Sequence, residues 1–330
     1  MIMKISKILA FLFLILAITS CKKEEAKTTI APSVNTNLVL GKTELLVADP
    51  IRNLGYYFWI EKFSNVDFFA IHNYSNTNND EEKGMMWYSV SENTFTDCNY
   101  SENVAAAGNT SKLVSVGGSY LYYCGNVFER YNSNSNSWDQ NTYYPEFVKD
   151  NNGATGVCAC GEYLYFIGGE VPSKYVKVYR TGDQVWSYYS ESYPINISNT
   201  ATATDNLRYI YSLGGYENAD DTQSTKKFYR YDTQVGVWKQ LPDCPRSISQ
   251  SVTLNLMCFF KEKYLAVLCD DKKIYIYNIG TDLWQTNGIE TGLTIDMIHA
   301  HLEASTDGTK FYVLYKKEND HLGISVYSPI

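Results

Sequence analysis

Three side chains that could bind a metal ion lie close together near the C-terminus. His299, His301 and Glu303 occupy alternate positions, and because side chains of a strand alternate between its two faces, all three share one face. Two imidazoles and a carboxylate form a ligand set that zinc accepts. The chain has only four histidines, however, and none stands out as a distant further ligand. We therefore interpret this segment as a packed inner strand, and predict no metal and no cofactor.

Cys158 and Cys160 are a second close pair of possible metal ligands. They are separated by one residue, which differs from the spacing of zinc sites, and no second pair accompanies them. Seven cysteines follow Cys21, and most lie in apolar runs, where cysteine usually acts as a small buried hydrophobic residue. The sequence predicts no disulfide framework.

The chain lacks the usual sequence motifs of catalysis: Gly-x-Ser-x-Gly, His-Glu-x-x-His and a glycine-rich phosphate loop. Recognition is the other chemistry that its residues could support, because aromatic rings stack and carboxylates and amides form hydrogen bonds. Such side chains, Tyr193 among them, gather in the longer polar segments. Seven residues are predicted to bind a ligand or partner: Tyr143, Tyr144, Tyr188, Tyr189, Tyr216, Asp220 and Arg246. The alternative is that a chain with 29 tyrosines places some in loops without function.

The elements that position these residues repeat along the chain. A tyrosine is followed seven residues later by a large aromatic residue in five places, at intervals of 43 to 52 residues. The pairs are Tyr88 with Phe95, Tyr131 with Trp138, Tyr179 with Trp186, Tyr231 with Trp238 and Tyr277 with Trp284. A truncated sixth copy begins at Tyr327. A repeat of about 50 residues with one aromatic pair per unit is typical of a β-propeller, whose four-stranded blades bury both faces against their neighbours.

Each repeat can be divided into four strands, a to d. In the third repeat, residues 156–160, 163–167 and 176–179 are predicted as strands a, b and c, and strand d starts at Trp186. Because strand directions alternate, the b–c loops and the loops between blades emerge on the same face, which we call the long-loop face. The last repeat lacks strand d. We expect residues 38–47 to supply that strand, close the ring and cover an exposed sheet edge.

A double glycine follows strand b in the third and fourth repeats, at Gly168–Gly169 and Gly214–Gly215, ahead of the tyrosine and tryptophan. This pattern resembles the kelch repeat, the blade of a large family of propellers. The resemblance covers about residue 38 to the end. It implies an all-β, six-bladed kelch-like β-propeller closed by an N-terminal strand in the last blade, with tryptophans between blades and Arg246 near the mouth of the central channel.

The N-terminus combines Lys4 and Lys7, an apolar stretch over residues 8–18, and Cys21 after three small or apolar residues. This resembles the lipobox of bacterial lipoproteins, which implies cleavage before Cys21 and diacylation of its sulfur. We predict a signal peptide over 1–20, a lipidated cysteine and flexible tether over 21–37, and the propeller over 38–330. The Lys-Glu-Glu run at 23–25 resembles the surface-export signal of Bacteroidetes lipoproteins; the alternative is a solvated charge run in the tether.

The charge balance limits the possible partners. The formal net charge is -8, and removal of the two signal-peptide lysines makes it -10. A chain this acidic, with no basic stripe, is not expected to bind nucleic acid.

Together these features predict a lipid-anchored, non-catalytic protein of the outer membrane, on its periplasmic or cell-surface side. Its membrane contact is the lipid on Cys21, and its long-loop face is expected to bind a glycan or an envelope protein. The alternative is a sugar-active enzyme resembling N-acetylneuraminate epimerases, the mutarotases. That activity would need an acid/base pair at the channel mouth, for which Arg246 and nearby carboxylates are candidates. A third possibility is a rigid structural subunit of a membrane complex.

Overall fold

The computed structural model describes most of the predicted propeller and not the segment before it. The described residues are 38–47, 57–63, 67–74, 84–99, 101, 112–125, 127–139, 155–169, 171–189, 192–220, 222, 224–248, 255–293, 300–317 and 321–330. Side chains at 57–59, 72–74 and 188–189 are likewise not described. The predictions for the signal peptide, the tether and Cys21 therefore fall outside the described residues. No helix within these ranges is long and apolar enough to cross a membrane.

The first three blades are four-stranded antiparallel sheets in which neighbouring strands follow each other along the chain. Blade 1 consists of β2 (Tyr57–Phe63), β3 (Phe68–Tyr74), β4 (Gly84–Ser89) and β5 (Thr94–Cys98). Blade 2 consists of β6 (Lys112–Val116), β7 (Tyr120–Cys124), β8 (Phe128–Asn132) and β9 (Ser137–Asp139). Blade 3 consists of β10 (Gly156–Cys160), β11 (Tyr163–Ile167), β12 (Val176–Arg180) and β13 (Val185–Tyr189).

The other three blades include one with a divided outer strand and one that closes the ring. Blade 4 consists of β14 (Ala201–Thr204), β15 (Tyr209–Leu213), β16 (Phe228–Asp232) and β17 (Val237–Leu241). Blade 5 consists of β18 (Met257–Phe260), β19 (Tyr264–Leu268), β20 (Lys273–Asn278) and two short outer strands, β21 (Leu283–Trp284) and β22 (Ile289–Glu290). Blade 6 consists of β23 (Ala300–Ala304), β24 (Phe311–Lys316), β25 (Leu322–Pro329) and β1 (Leu40–Leu45).

The blades stand around a central axis with their first strands innermost. Each inner strand contacts the inner strands of both neighbouring blades: β2, β6, β10, β14, β18 and β23. The second strands are buried on both faces, as every residue of β19 shows, because each blade lies between two others. The described residues contain strands and no helices. The prediction of an all-β, six-bladed propeller is confirmed.

The ring closes through β1, as predicted. β1 pairs antiparallel with β25, from Leu40 opposite Pro329 to Leu45 opposite Ile324. Outside the strand pairing, the backbone N–H of Ile330 donates to the carbonyl of Val39 at 3.0 Å. The Lys42 ammonium also donates to the carbonyl oxygen of Thr291, in blade 5, at 2.7 Å. The first described strand thus joins the last blade and covers its outer edge.

The seven-residue spacing of the aromatic pairs is the geometry of the c–d hairpin. In each of the five pairs the tyrosine lies directly opposite the later aromatic residue across the two strands, as for Tyr179 and Trp186. The turn contains a residue with positive φ five positions after each tyrosine: Asn93 (53°), Asn136 (48°), Gln184 (60°), Gly236 (72°) and Asp282 (54°). Asn, Asp and Gly adopt this left-handed conformation most readily.

The double glycines allow loops of neighbouring blades to approach closely. Gly215 has φ +90°, and a Cβ there would overlap the carbonyl oxygen of Ser198. Gly168 has φ +78°, and a Cβ there would overlap the carbonyl oxygen of Ile197. Any side chain at these positions would push the loops apart, which explains the glycines physically.

Tryptophans contribute contacts between blades, as the kelch resemblance implies. The ring of Trp186 in blade 3 packs against Phe128 of blade 2, with centroids 5.1 Å apart. Trp284 of blade 5 packs against Phe228 of blade 4 at 5.4 Å. The seven cysteines from Cys98 onward are free thiols, and all except Cys98 are buried.

Candidate functional site

A cavity of about 640 Å³ occupies the central channel. All six inner strands contribute to its lining, and its rim includes the a–b turns at Gly117, Asn206 and Thr306. Because a–b turns and b–c loops lie on opposite faces, this cavity belongs to the tight-turn face. It is therefore distinct from the long-loop face on which the predicted binding residues were placed.

Asn255 joins two carboxylates inside the cavity. Its side-chain Nδ2 donates to Glu303 Oε1 at 2.6 Å and to Glu61 Oε2 at 3.0 Å. It also donates to the carbonyl oxygen of Ile60 at 3.1 Å. Asn255 precedes β18 in blade 5, while the carboxylates come from blades 1 and 6. One amide thus holds two acidic side chains from different blades within a few ångströms of each other.

The Glu61 carboxylate is also held from the other side. The backbone N–H and the hydroxyl of Ser115 both donate to Glu61 Oε1, each at 3.0 Å. Ser115 lies on β6, so Glu61 bridges blades 1 and 2 as well as blades 1 and 5. Both of its oxygens accept fixed hydrogen bonds, which leaves the carboxylate little rotational freedom.

Burial makes these carboxylic acids weaker than usual. It raises the pKa of Glu61 to about 7, although hydrogen bonds from Ser115 and Asn255 oppose the shift. Burial raises the pKa of Glu303 well above its ordinary value, and the neighbouring charge of Glu61 raises it further. Since two adjacent carboxylates resist carrying two negative charges, ionisation of one member of the pair disfavours ionisation of the other.

A lysine in the channel offsets part of this negative charge. Lys112, the first residue of β6, is only 3% exposed. Burial lowers the pKa of its ammonium to about 8, while interactions with Cys158, Glu61 and Glu303 oppose the shift. Glu61 and Glu303, on strands of blades 1 and 6, thus interact electrostatically with this ammonium.

The segment with His299, His301 and Glu303, which was predicted to be a packed inner strand, contributes to the same cluster. His301 is fully buried, and its Nδ1 accepts a hydrogen bond from the backbone N–H of Asn255 at 3.4 Å. Glu303 bonds Asn255, as described above, and His299 lies outside the described residues. Within the described ranges, no group of three or more His, Cys, Asp or Glu side chains is arranged to hold a metal ion.

The long-loop face of blades 3 to 5 is braced by hydrogen bonds between successive loops. Ser173 pairs with Ile197, and Ser198 pairs with Tyr216. The N–H of Gly215 donates to the carbonyl oxygen of Ile248 at 2.9 Å. These bonds join b–c loops to the inter-blade loops beside them. We call the surface formed by these b–c loops and inter-blade loops of blades 3 to 5 the braced platform; its backbone is held in place by these hydrogen bonds.

A kelch motif matches residues 208–245, which contain β15, β16, β17 and the first part of the loop toward blade 5. Among curated proteins, none matches this chain significantly. The matched segment includes the double glycine, the tyrosine and the tryptophan from which the fold was predicted. The six sheets, the hydrogen-bonded loops and this motif all indicate the same fold. The fold is a six-bladed kelch-like propeller.

Three of the predicted binding residues lie on the braced part of the kelch-like propeller. Tyr216 is half-buried, and its backbone pairs with Ser198 and Ser224. Asp220 is exposed in the same b–c loop, where it accepts hydrogen bonds from the Asn218 side chain and from the Thr222 hydroxyl. The third, Arg246, occupies the following inter-blade loop.

Arg246 does not reach the cavity. Its guanidinium, with a side chain 57% exposed, pairs with Asp271 at 3.3 Å over the b–c turn of blade 5. The Tyr275 hydroxyl donates to the same Asp271 carboxylate at 2.8 Å. The cavity whose lining lacks Arg246 opens on the opposite face, so the position near a channel mouth that the resemblance implied stays a prediction. The arginine is available at the surface because its partner Asp271 also lies there.

The structure corrects the location of two tyrosines that were predicted in an inter-blade loop, Tyr188 and Tyr189. The backbone of Tyr188 and Tyr189 continues β13 opposite Lys177 and Val176, so both residues belong to a strand and not to the inter-blade loop. Tyrosine is a good strand former, and β12 offers partners for both positions. The two remaining predicted binding residues, Tyr143 and Tyr144, lie outside the described residues.

Tyr193 does lie in an inter-blade loop, but it is only 1% exposed. Its ring packs edge-on against Trp238 at 4.7 Å, and its hydroxyl bonds Ser212 at 2.9 Å. This tyrosine is a packing residue between blades and cannot contact a partner.

The sequence analysis missed Glu61, Asn255 and Lys112. The available signal was a charged residue next to an apolar inner-strand run in two blades, at Glu61 and Lys112. Buried charges of this kind are expensive unless they are paired, so they often mark functional sites. Two carboxyl groups with different affinities for a proton can also act as an acid and a base.

Proposed function

We propose that this kelch-like propeller is a lipid-anchored binding protein of the bacterial envelope, whose long-loop face binds a protein partner. Residues 1–20 act as the signal peptide, and the lipid on Cys21 anchors the chain to the outer membrane on its periplasmic or cell-surface side. The tether over residues 21–37 separates the anchor from the propeller. The kelch-like propeller itself fits a protein-interaction scaffold.

The braced platform of blades 3 to 5 is the observation that carries this proposal. Its loops are held by backbone hydrogen bonds before any partner arrives, so that association orders fewer groups and loses less conformational entropy. Exposed side chains of different character stand on it: Asp220, Arg246 and, at 62% exposure, Val171. A rigid surface with mixed polar and apolar groups suits recognition of another protein.

Of the residues named above, Arg246 is expected to contribute most to the affinity for the protein partner. Arginine is enriched at interaction hot spots because its planar group forms several hydrogen bonds and stacks on aromatic rings. Its present partner, Asp271, is itself partly exposed, so a carboxylate of the partner protein can approach the same guanidinium. Tyr216, which is half-buried on the same face, would supply an aromatic contact.

An affinity capture from the native envelope tests the proposal. The full lipoprotein is tagged at its C-terminus, where Ile330 is 90% exposed, and compared with a variant carrying Arg246→Ala and Asp220→Asn. Arg180→Ala is the matched control, because Arg180 is also an exposed arginine paired with an aspartate, Asp183, but lies in a c–d turn on the opposite face. We expect one protein in stoichiometric amount with the wild type and the control, and much less with the double variant.

Two results would contradict this expectation. Equal capture by the double variant and by Arg180→Ala would remove the long-loop face from the interaction. Capture of glycan fragments without a protein would replace the protein partner by a carbohydrate on this face.

A further inference from the structure

The channel cavity lies on the face opposite the proposed protein-binding platform and has its own chemistry. Its volume of about 640 Å³ falls within the range of about 300 to 1,000 Å³ that is usual for small-molecule sites. The rim is formed by short a–b turns, and the floor is formed by the inner strands. A molecule bound there would not touch Arg246 or Asp220.

The polar groups of the cavity are fixed before a ligand binds. Asn255 donates to both Glu61 and Glu303, and Ser115 holds the second oxygen of Glu61. Thr202, also in the lining, donates its hydroxyl proton to the carbonyl oxygen of Val157 at 2.8 Å. Such preorganised groups lose little side-chain freedom on binding, so their hydrogen bonds contribute more to affinity.

The chemistry of the lining favours a ligand rich in hydroxyl groups. Carboxylate oxygens accept hydrogen bonds from hydroxyls, while a protonated carboxyl can donate in return. Phe259 also lines the cavity and is half-buried, which offers an apolar surface beside the polar groups. Sugars combine hydroxyl edges with apolar ring faces, and this mixture suits them.

The charge of the lining favours a neutral sugar over an acidic one. Glu61 and Glu303 lie at the centre of the cluster, and Asp205 stands in the rim. Lys62 in the lining offsets part of that charge, and so does Lys112, which interacts electrostatically with both glutamates. An additional carboxylate on the ligand would have to approach the Glu61–Glu303 pair, where like charges repel.

We propose that this cavity binds a compact neutral carbohydrate, one or two sugar residues in size, through Glu61, Asn255 and Glu303. The ligand is either a free sugar or the terminal residue of a glycan chain, since both present the same hydroxyl groups. This site is independent of the protein partner proposed for the long-loop face.

Titration calorimetry on the purified full-length protein tests this inference. The probes are glucose, galactose, N-acetylglucosamine and maltose, with glucuronate as the acidic counterpart. We expect at least one neutral sugar to bind, and glucuronate to bind about tenfold more weakly or not at all. The same sugars immobilised as the ends of oligosaccharides distinguish the two sources: binding to the free sugar alone indicates a soluble ligand, and binding to both indicates a glycan end.

Two variants examine the cavity directly. Glu61→Gln keeps the shape of the side chain and should weaken binding about tenfold, because one charge-assisted acceptor is lost. Ala159→Phe fills the cavity from β10 without removing a polar group and should abolish binding. The control is again Arg180→Ala, in a turn that is not part of the cavity lining, and it should bind as the wild type does. Thermal melting establishes that each variant is folded.

The inference is wrong if no neutral sugar binds the folded wild type, or if both cavity variants bind as tightly as the control. Equal binding of glucose and glucuronate would contradict the role assigned to the two carboxyl groups. A negative result here leaves the capture experiment on the other face unaffected.

Discussion

In the first five blades the outer c–d hairpins repeat closely, whereas the inner strands do not. Each hairpin has a tyrosine facing an aromatic residue and a positive φ five positions after the tyrosine. At the channel, blade 1 contributes Glu61, blade 2 Ser115, blade 3 Ala159 and blade 6 Glu303. The perimeter therefore carries what every blade needs for stability. The inner strands at the axis contain the residues that differ from blade to blade.

This difference follows from the packing of a propeller. An outer hairpin meets the same neighbour surface in every blade, so one solution serves several times. The inner strands surround one central channel, where side chains from all six blades must pack together in a single arrangement. Asn255 shows this, because it bonds residues of blades 1 and 6 that have no counterparts in the other blades.

Removal of the closing strand, β1, should destabilise the propeller more than any other change proposed here. Deletion of residues 38–48 removes β1, exposes the edge of β25 and takes away the lysine that bonds Thr291. We expect loss of the cooperative thermal transition. Deletion of 22–34 is the matched control, and its melting temperature should equal that of the wild type. Equal melting temperatures for the two deletions would show that β1 does not close the ring.

Tryptophan substitutions measure how much the repeated aromatic residues stabilise the ring. Trp284 is 8% exposed, packs against Phe228 and Tyr277, and donates its Nε1 proton to Pro242 at 2.8 Å. Trp284→Ala should lower the free energy of unfolding by about 3 to 5 kcal/mol. Trp186 is only half-buried, so Trp186→Ala should lower the free energy of unfolding by less. Denaturant titration of both variants and of the exposed-site control Tyr163→Ala checks this order; a larger loss for Trp186→Ala would contradict it.

The carboxylates at the axis should make stability depend on pH. The pKa of Glu61 is raised to about 7 in the folded protein. The protonated carboxyl therefore contributes fully to the free energy of unfolding below the ordinary pKa of glutamate, and this contribution is lost as pH rises through 7. Glu61→Gln should therefore match the wild type near pH 5 and be more stable at pH 8, by about 2 kcal/mol because water in the cavity screens the full effect.

Glu303→Gln is the matched variant for that experiment. Because the pKa of Glu303 is raised well above its ordinary value in the folded protein, this carboxyl also keeps a proton that the unfolded chain releases, and its contribution to the free energy of unfolding falls as pH rises. Glu303→Gln should therefore also reduce the difference in stability between pH 5 and pH 8, as measured by unfolding curves at both pH values. If neither Glu61→Gln nor Glu303→Gln reduced that difference, the buried pair would not be the source of the pH dependence.

The sequence predicted the perimeter better than the axis for the same physical reason. A repeated tyrosine and tryptophan can be recognised without knowing the contacts, and the truncated last repeat indicated that β1 closes the ring. The axial cluster has no repeat and depends on the distance between Glu61 and Glu303, which are more than 200 residues apart in the chain. Such a pair becomes visible only when the blades are placed around the channel.

The turn residue of the c–d hairpin offers the smallest effect and the most local test of the perimeter. Asn136 has φ 48°, and its side-chain oxygen accepts hydrogen bonds from the Tyr131 hydroxyl at 2.6 Å and from the backbone of Asn99 at 3.2 Å. Asn136→Gly keeps the left-handed backbone conformation and loses the two side-chain hydrogen bonds. Asn136→Ala loses the hydrogen bonds and also disfavours the left-handed conformation. We expect the glycine variant to be destabilised by about 1 kcal/mol and the alanine variant by about 1 kcal/mol more. Gly236 occupies the equivalent position in blade 4, so Gly236→Asn should be tolerated while Gly236→Ala should not. If alanine and glycine behave alike at 136, the left-handed conformation is not what the repeat preserves.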